Sequence, residues 1–129
     1  MSPTETVRAF YTALRRGDAP AALALLCDKL EWSEADGFPY FSGTWRTPQE
    51  VLENLVVPLS KDWENFVADA DSFVSEDSEV VAFGVYRGVN RATGRTLAVP
   101  FAHRWRVSDG RIASFVQYTD TILVKKAMP

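Results

Sequence analysis

The chain has 129 residues, of which 47% are hydrophobic and 24% charged, with a net charge of −3. One domain spanning residues 1–129 is expected, large enough to bury roughly two-thirds of its unfolded surface. The lack of a basic run argues against nucleic acid, and the lack of a signal pattern or a long apolar stretch argues against secretion and a membrane span, leaving the cytoplasm as the expected compartment.

The elements follow in chain order. Ser2-Pro3-Thr4-Glu5 has the form of a capping box with proline at the first helical position. Val7, Phe10, Tyr11 and Leu14 continue it as an apolar helical stripe, and Gly17 supplies the stop. Asp18 is expected to cap a second helix with Ala22, Leu23, Leu26 and Cys27 on its buried side. Leu30, Trp32 and Glu34 alternate with Glu31 and Ser33, which predicts a short first strand. Asp-Gly, Phe-Pro and Ser-Gly pairs make 35–45 a loop. Thr47-Pro48-Gln49-Glu50 repeats the capping box, and Val51, Leu52, Leu55, Val56 and Leu59 complete a third helix. Then the period changes to two. Residues 65–75, 79–88, 96–107 and 111–124 read as strands, with hairpin-like turns at 90–94 and 108–110. Helices first and an antiparallel sheet afterwards make an α+β domain.

The third of these strands carries the only histidine. Leu97, Val99, Phe101, His103, Trp105 and Val107 share one face, while Ala102, Arg104 and Arg106 take the other. His103 therefore lies on the apolar side. Two readings stand: a core histidine held by hydrogen bonds, or a ring directed into a lined cavity. Pro100 cannot donate to the ladder and implies a bulge or an open edge. With one histidine and one cysteine, Cys27, no disulfide or zinc-type cluster can be built, so no metal and no cofactor are expected. Four Trp, four Tyr and eight Phe can fill a core or line a pocket for an apolar molecule.

The chain resembles the nuclear transport factor 2-like superfamily, in particular its SnoaL-like and ketosteroid isomerase-like members. The resemblance rests on Phe10-Tyr11 with Arg16-Gly17-Asp18, on Leu30-Glu31-Trp32, and on Gly43-Thr44-Trp45. It continues through Ala92-Thr93-Gly94-Arg95, His103-Arg104-Trp105-Arg106-Val107, Asp109-Gly110-Arg111-Ile112 and Tyr118-Thr119-Asp120. The resemblance implies a cone-shaped α+β barrel of the cystatin-like type, with three N-terminal helices packed on a strongly curved, mainly antiparallel sheet. It also implies a deep apolar cavity and a homodimer formed through the outer sheet face. Val116, Tyr118 and Ile122 are apolar for solvent-facing positions there.

Family does not decide activity. In the resemblance to ketosteroid isomerases, Glu34 stands near the proton-shuttle position and His103 at or beside the oxyanion-hole acid. Phe10 occupies the tyrosine's place, with Tyr11 next to it, so that triad is not reproduced. In the resemblance to limonene epoxide hydrolases, Gly84, Tyr86 and Gln117 replace an Arg-x-Asp pair and an aspartate, so epoxide hydrolysis is rejected. The same Gln117 weakens a SnoaL-type cyclase reading that needs a last-strand acid.

The candidate catalytic residues are His103, Tyr86, Glu34 and Asp120. The candidate ligand-binding residues are Trp32, Tyr40, Trp63, Phe83, Phe101, Trp105 and Gln117, with Tyr40, Phe41 and Trp63 at the lid or mouth, or Trp63 in the core instead. Gly84 is expected to leave room for the His103 ring. Asp120 has the opposite strand parity to Phe115 and Gln117, so it enters the pocket only if a bulge shifts the register. The chain is then a small apolar-molecule binding protein or a cofactor-independent enzyme of isomerase, cyclase or hydratase type, with His103 as acid–base. The alternative is a binding or accessory protein that does no chemistry.

Overall fold

The structure, a computed structural model, describes residues 1–41 and 43–129. Ser42, half of the Ser-Gly pair that marks the first loop, lies outside the described residues. The elements run α1 (Pro3–Arg15), α2 (Ala19–Ala24), β1 (Leu26–Ser33), α3 (Pro48–Val51), a π-helical turn (Leu52–Val56), α4 (Val57–Asp62), β2 (Trp63–Glu76), β3 (Glu79–Asn90), β4 (Thr96–Ser108), β5 (Arg111–Thr119) and α5 (Thr121–Lys126). The sheet order is β1-β5-β4-β3-β2. All pairs are antiparallel except β1–β5, which is parallel. The sheet curls without closing, and the helices pack on it to form a cone.

Both capping boxes act as the sequence predicts. Ser2 accepts the Glu5 N–H at 3.1 Å, and Thr47 accepts the Glu50 N–H at 3.2 Å. The helix that Thr47 opens carries Pro58, which has no N–H to give. Directly before it the ladder slips by one residue, and Val57 N–H bonds Leu52 O five positions back. A π-turn is one way a helix absorbs such a missing donor.

Three boundaries differ from expectation. The second helix stops at Ala24, and Leu26 and Cys27 open β1, where Leu26 pairs with Ile112. Tertiary strand pairing there overrides an alanine-rich run with good helix propensity. The last strand ends at Thr119 rather than Val124, and Asp120 caps a short helix that carries Ile122. Ile122 therefore does not belong to the outer sheet face.

The alternation along β4 is complete: Leu97, Val99, Phe101, His103, Trp105 and Val107 are all buried. Pro100 sits in an unbroken β3–β4 register, opposite Val85. On its other side β5 has ended, and Thr119 Oγ1 donates to the Pro100 carbonyl at 2.9 Å. Of the two expected alternatives, the open edge holds. The bulges are elsewhere: β2 shifts register between Glu64 and Val67 and again between Ala70 and Ser72, and β5 shifts opposite Arg106–Val107. They bend the sheet around the helices.

Gly84 serves that bend. A Cβ there would stand 2.1 Å from the Asp69 carbonyl oxygen and 2.7 Å from the Ala70 Cα. The glycine thus admits the β2 backbone at its bulge, and does not make room for His103 as expected. Ala82, the small residue directly opposite His103, does that.

Among the described residues, no helix is long and apolar enough to cross a membrane.

Candidate functional site

A cavity of about 500 Å³ lies between the helices and the concave face of the sheet. Phe10, Trp32, Phe38, Trp63, Trp105 and Phe115 form most of its aromatic wall. Tyr11, Glu34, Tyr86, His103 and Gln117 supply its inner polar groups.

Alternation places these groups together. His103 on β4 lies opposite Gln117 on β5, and Tyr86 on β3 lies opposite Val99, two residues before Phe101. Helix α1 crosses above and lowers Tyr11 onto the same spot. His103 is 3% exposed, and its ring stacks on Phe101 with centroids 4.0 Å apart. Its two nitrogens meet two phenols: Nδ1 the Tyr11 hydroxyl at 2.6 Å, and Nε2 the Tyr86 hydroxyl at 2.5 Å. Both sequence-stated alternatives for His103 are therefore realised at once, because a hydrogen-bonded, packed ring also forms part of the cavity wall.

The outer partners each give one fixed N–H to the two phenol oxygens. Trp105 Nε1–H can only donate, and it donates to the Tyr11 oxygen at 3.0 Å. Ala35 N–H donates to Gln117 Oε1 at 2.9 Å, which orients the amide. Gln117 Nε2 then donates to the Tyr86 oxygen at 2.8 Å. Burial pushes the His103 pKa well below its ordinary value, so the ring is neutral with a single N–H. Burial also raises both phenols, with the Trp105 hydrogen bond opposing the rise at Tyr11. Three hydrogens, two phenolic and one on the ring, therefore serve only two hydrogen bonds. One phenolic hydrogen is always left over.

Glu34 follows directly on β1 and is 5% exposed. Its Oε1 accepts the Trp32 indole N–H at 3.0 Å. Its Oε2 is buried with no hydrogen-bond partner, the one such side-chain atom among the described residues. Burial pushes the carboxyl up to about 7, and the Trp32 hydrogen bond pulls the other way. A group titrating near neutrality can both take and return a proton.

Of the expected site residues, Glu34, Tyr86, His103, Trp32, Trp63, Trp105 and Gln117 line the cavity. Phe101 supports the His103 ring from beside it. Tyr40 reaches the site only indirectly, donating to Asp62 at 2.7 Å and accepting the Trp63 indole N–H at 3.0 Å. Two expectations are corrected. Phe83 is 43% exposed on the outer sheet face, because its odd position opposes the parity of Ala82 and Tyr86. Asp120 caps α5 by accepting the Leu123 N–H at 3.3 Å, and it does not line the cavity.

Tyr11 was legible as part of a helix stripe and as the neighbour of the isomerase tyrosine's place, but not as a site residue. A hydroxyl on an apolar stripe needs a buried partner, and that need was the available signal.

Comparison with known proteins follows from this geometry. The family model for the SnoaL-like domain matches residues 7–115. The chain is similar to an NTF2-like protein from Burkholderia thailandensis E264, with 35% identity over 100% of this chain and 98% of that one, and a TM-score of 0.94. A structure of TerC co-crystallized with polyporic acid matches with 22% identity over 97% and 96% of the two chains, TM-score 0.85. A protein from Jannaschia sp. CCS1, carrying the provisional name SnoaL-like polyketide cyclase, matches with 14% identity over 98% and 90%, TM-score 0.84. The last two likenesses are of fold. No curated protein matches the chain.

Proposed function

The chain belongs to the SnoaL-like family within the NTF2-like superfamily, and from that premise we propose that it is a cofactor-independent enzyme of isomerase or cyclase type, acting in the cytoplasm on a flat, largely apolar carbonyl or enol compound. Glu34 moves a proton at a carbon next to the carbonyl. The hydroxyl chain around His103 donates a hydrogen bond to the carbonyl oxygen as negative charge builds there.

The observation that carries this reading is Glu34, a residue of the cavity wall whose Oε2 is buried without a hydrogen-bond partner. An unpaired buried carboxyl oxygen costs stability, and such costs are tolerated where they serve a site. The spare phenolic hydrogen supports the same reading, since it calls for an acceptor on the ligand. The aromatic wall suits a planar molecule, and about 500 Å³ is within the usual range for small-molecule pockets.

Deuterium exchange tests the proposal. The protein is incubated in D2O with a panel of cyclic 1,3-diketones and aromatic enols, and exchange at the α-carbon is followed by NMR. Accelerated exchange is expected, with Glu34→Gln slowing it about 100-fold or more while binding persists. Binding without acceleration in the wild type would overturn the catalytic reading and leave a binding protein.

For assembly, we propose a homodimer through the outer sheet face. Phe83, 43% exposed, and Tyr118, 54% exposed, lie there on neighbouring strands flanking β4. Phe83 pairs with Ala102 and Tyr118 pairs with that same residue, so the two rings flank a small side chain in a shallow apolar strip.

A further inference from the structure

We propose that Tyr11, His103 and Tyr86 form a charge-neutral proton relay, which takes a proton from a ligand hydroxyl at one edge of the imidazole and returns one to a ligand carbonyl at the other. This rests on the carbonyl–enol reading above and narrows its substrate class. The ligand would carry a hydroxyl and a carbonyl at opposite ends of one conjugated system.

The hydrogens around the ring can be counted. Each phenol oxygen already accepts one fixed N–H, from Trp105 at Tyr11 and from Gln117 at Tyr86. Two arrangements of the remaining three hydrogens satisfy the geometry. In the first, Nδ1–H donates to Tyr11, Tyr86 donates to Nε2, and the Tyr11 hydrogen is spare. In the second, Nε2–H donates to Tyr86, Tyr11 donates to Nδ1, and the Tyr86 hydrogen is spare. The two are mirror images about the ring. Each phenol oxygen accepts one N–H from outside, so the two tautomers make the same number of hydrogen bonds. Contacts of 2.6 and 2.5 Å are short for these groups, so each hydrogen has little distance to travel.

The step balances. A ligand hydroxyl at Tyr86 gives its proton to the Tyr86 oxygen, as the Tyr86 hydrogen passes to Nε2. The Nδ1 hydrogen passes to the Tyr11 oxygen, and the Tyr11 hydrogen passes to the ligand carbonyl oxygen. Four bonds to hydrogen break and four form. The conjugated electron pairs of the ligand and of the ring shift in concert, no charge is left behind, and nothing is oxidised or reduced. Water in the emptied cavity resets the relay by taking the Tyr86 proton and returning one at Tyr11. Both tyrosines line the cavity, which is the access this requires.

His103 is the only histidine, so protein labelled with 15N-histidine has two ring nitrogen signals and no assignment problem. In the ligand-free wild type, both signals are expected at positions intermediate between protonated and bare ring nitrogens, from exchange between the tautomers. Tyr11→Phe leaves Nδ1 without a partner, and a buried bare lone pair there costs less than a buried unpaired N–H, which drives the ring to the Nε2–H form. Tyr86→Phe leaves Nε2 without a partner in the same way, and drives the ring to the Nδ1–H form. The two variants should therefore move the signals in opposite senses. One fully protonated and one fully bare nitrogen in the wild type overturns the relay, as do two protonated nitrogens, or variants that leave the signals intermediate. The wild-type spectrum decides even if a variant fails to fold. None of these results bears on deuterium exchange through Glu34, so the relay and the enzyme reading fail separately.

Discussion

Trp32 and Glu34 lie two residues apart, and the Trp32 indole N–H donates to Glu34 Oε1 at 3.0 Å, so the tryptophan occupies one carboxyl oxygen and leaves the other buried without a partner. Burial makes this carboxyl titrate near neutrality.

The first prediction follows from its titration. Burial raises the folded pKa of Glu34 from 4.5 to about 7. Below 4.5 both folded and unfolded states hold the proton, and stability is highest. Between 4.5 and 7 only the unfolded state releases it, so stability falls as pH rises, by roughly 3 kcal/mol in total. Glu34→Gln lacks this loss. Urea denaturation at pH 5 and pH 8 should show the wild type weakening relative to the variant by about 2.5 kcal/mol, since part of the loss has already occurred at pH 5. A difference that does not change with pH would refute the buried, protonated carboxyl.

The second concerns the His103 ring, which is both packed and hydrogen-bonded at each nitrogen. His103→Ala opens a void and strands two phenols. Phe101→Ala removes the neighbouring ring of the same stack. Both should lose on the order of 3 kcal/mol, roughly 10 °C in Tm, measured by calorimetry. A loss below about 1 kcal/mol for His103→Ala alone would mean that its ring is not anchored by the two tyrosines.

The third separates a cap from a catalyst. Asp120→Ala removes the acceptor for the Leu123 N–H and should cost about 1 kcal/mol in urea denaturation. Deuterium exchange of a bound 1,3-diketone should be unchanged, since Asp120 does not line the cavity. Loss of exchange with no loss of stability would return Asp120 to the site.

The fourth concerns assembly. Sedimentation equilibrium at micromolar concentration should give twice the 14.4 kDa chain mass. Phe83→Glu combined with Tyr118→Glu places charge in the proposed interface and should return the mass to that of one chain. A wild-type monomer would sink the dimer.

What the chain alone determined is what local periodicity encodes. The two-residue alternation of β4 placed His103 on the buried face without knowledge of any other strand, because a strand's side chains alternate whatever it pairs with. The capping boxes at Ser2 and Thr47 were readable because a cap joins residues three apart. Parity likewise separates Phe83 from Tyr86, since an odd and an even position of one strand take opposite faces.

The tertiary structure decided everything that depends on long-range partners. Leu26 became a strand residue because Ile112 was there to pair with it. Residues 121–124 are too few for a period of two to be told from a period of 3.6, and the Asp120 cap made them helical. Tyr11 entered the site because α1 crosses over His103 and Trp105, and a helix stripe carries no record of which strand it will meet. The bare oxygen of Glu34 and the spare phenolic hydrogen are likewise tertiary facts. Each is a count of donors against acceptors, and the count closes only when residues from β1, α1, β3, β4 and β5 reach the same cavity.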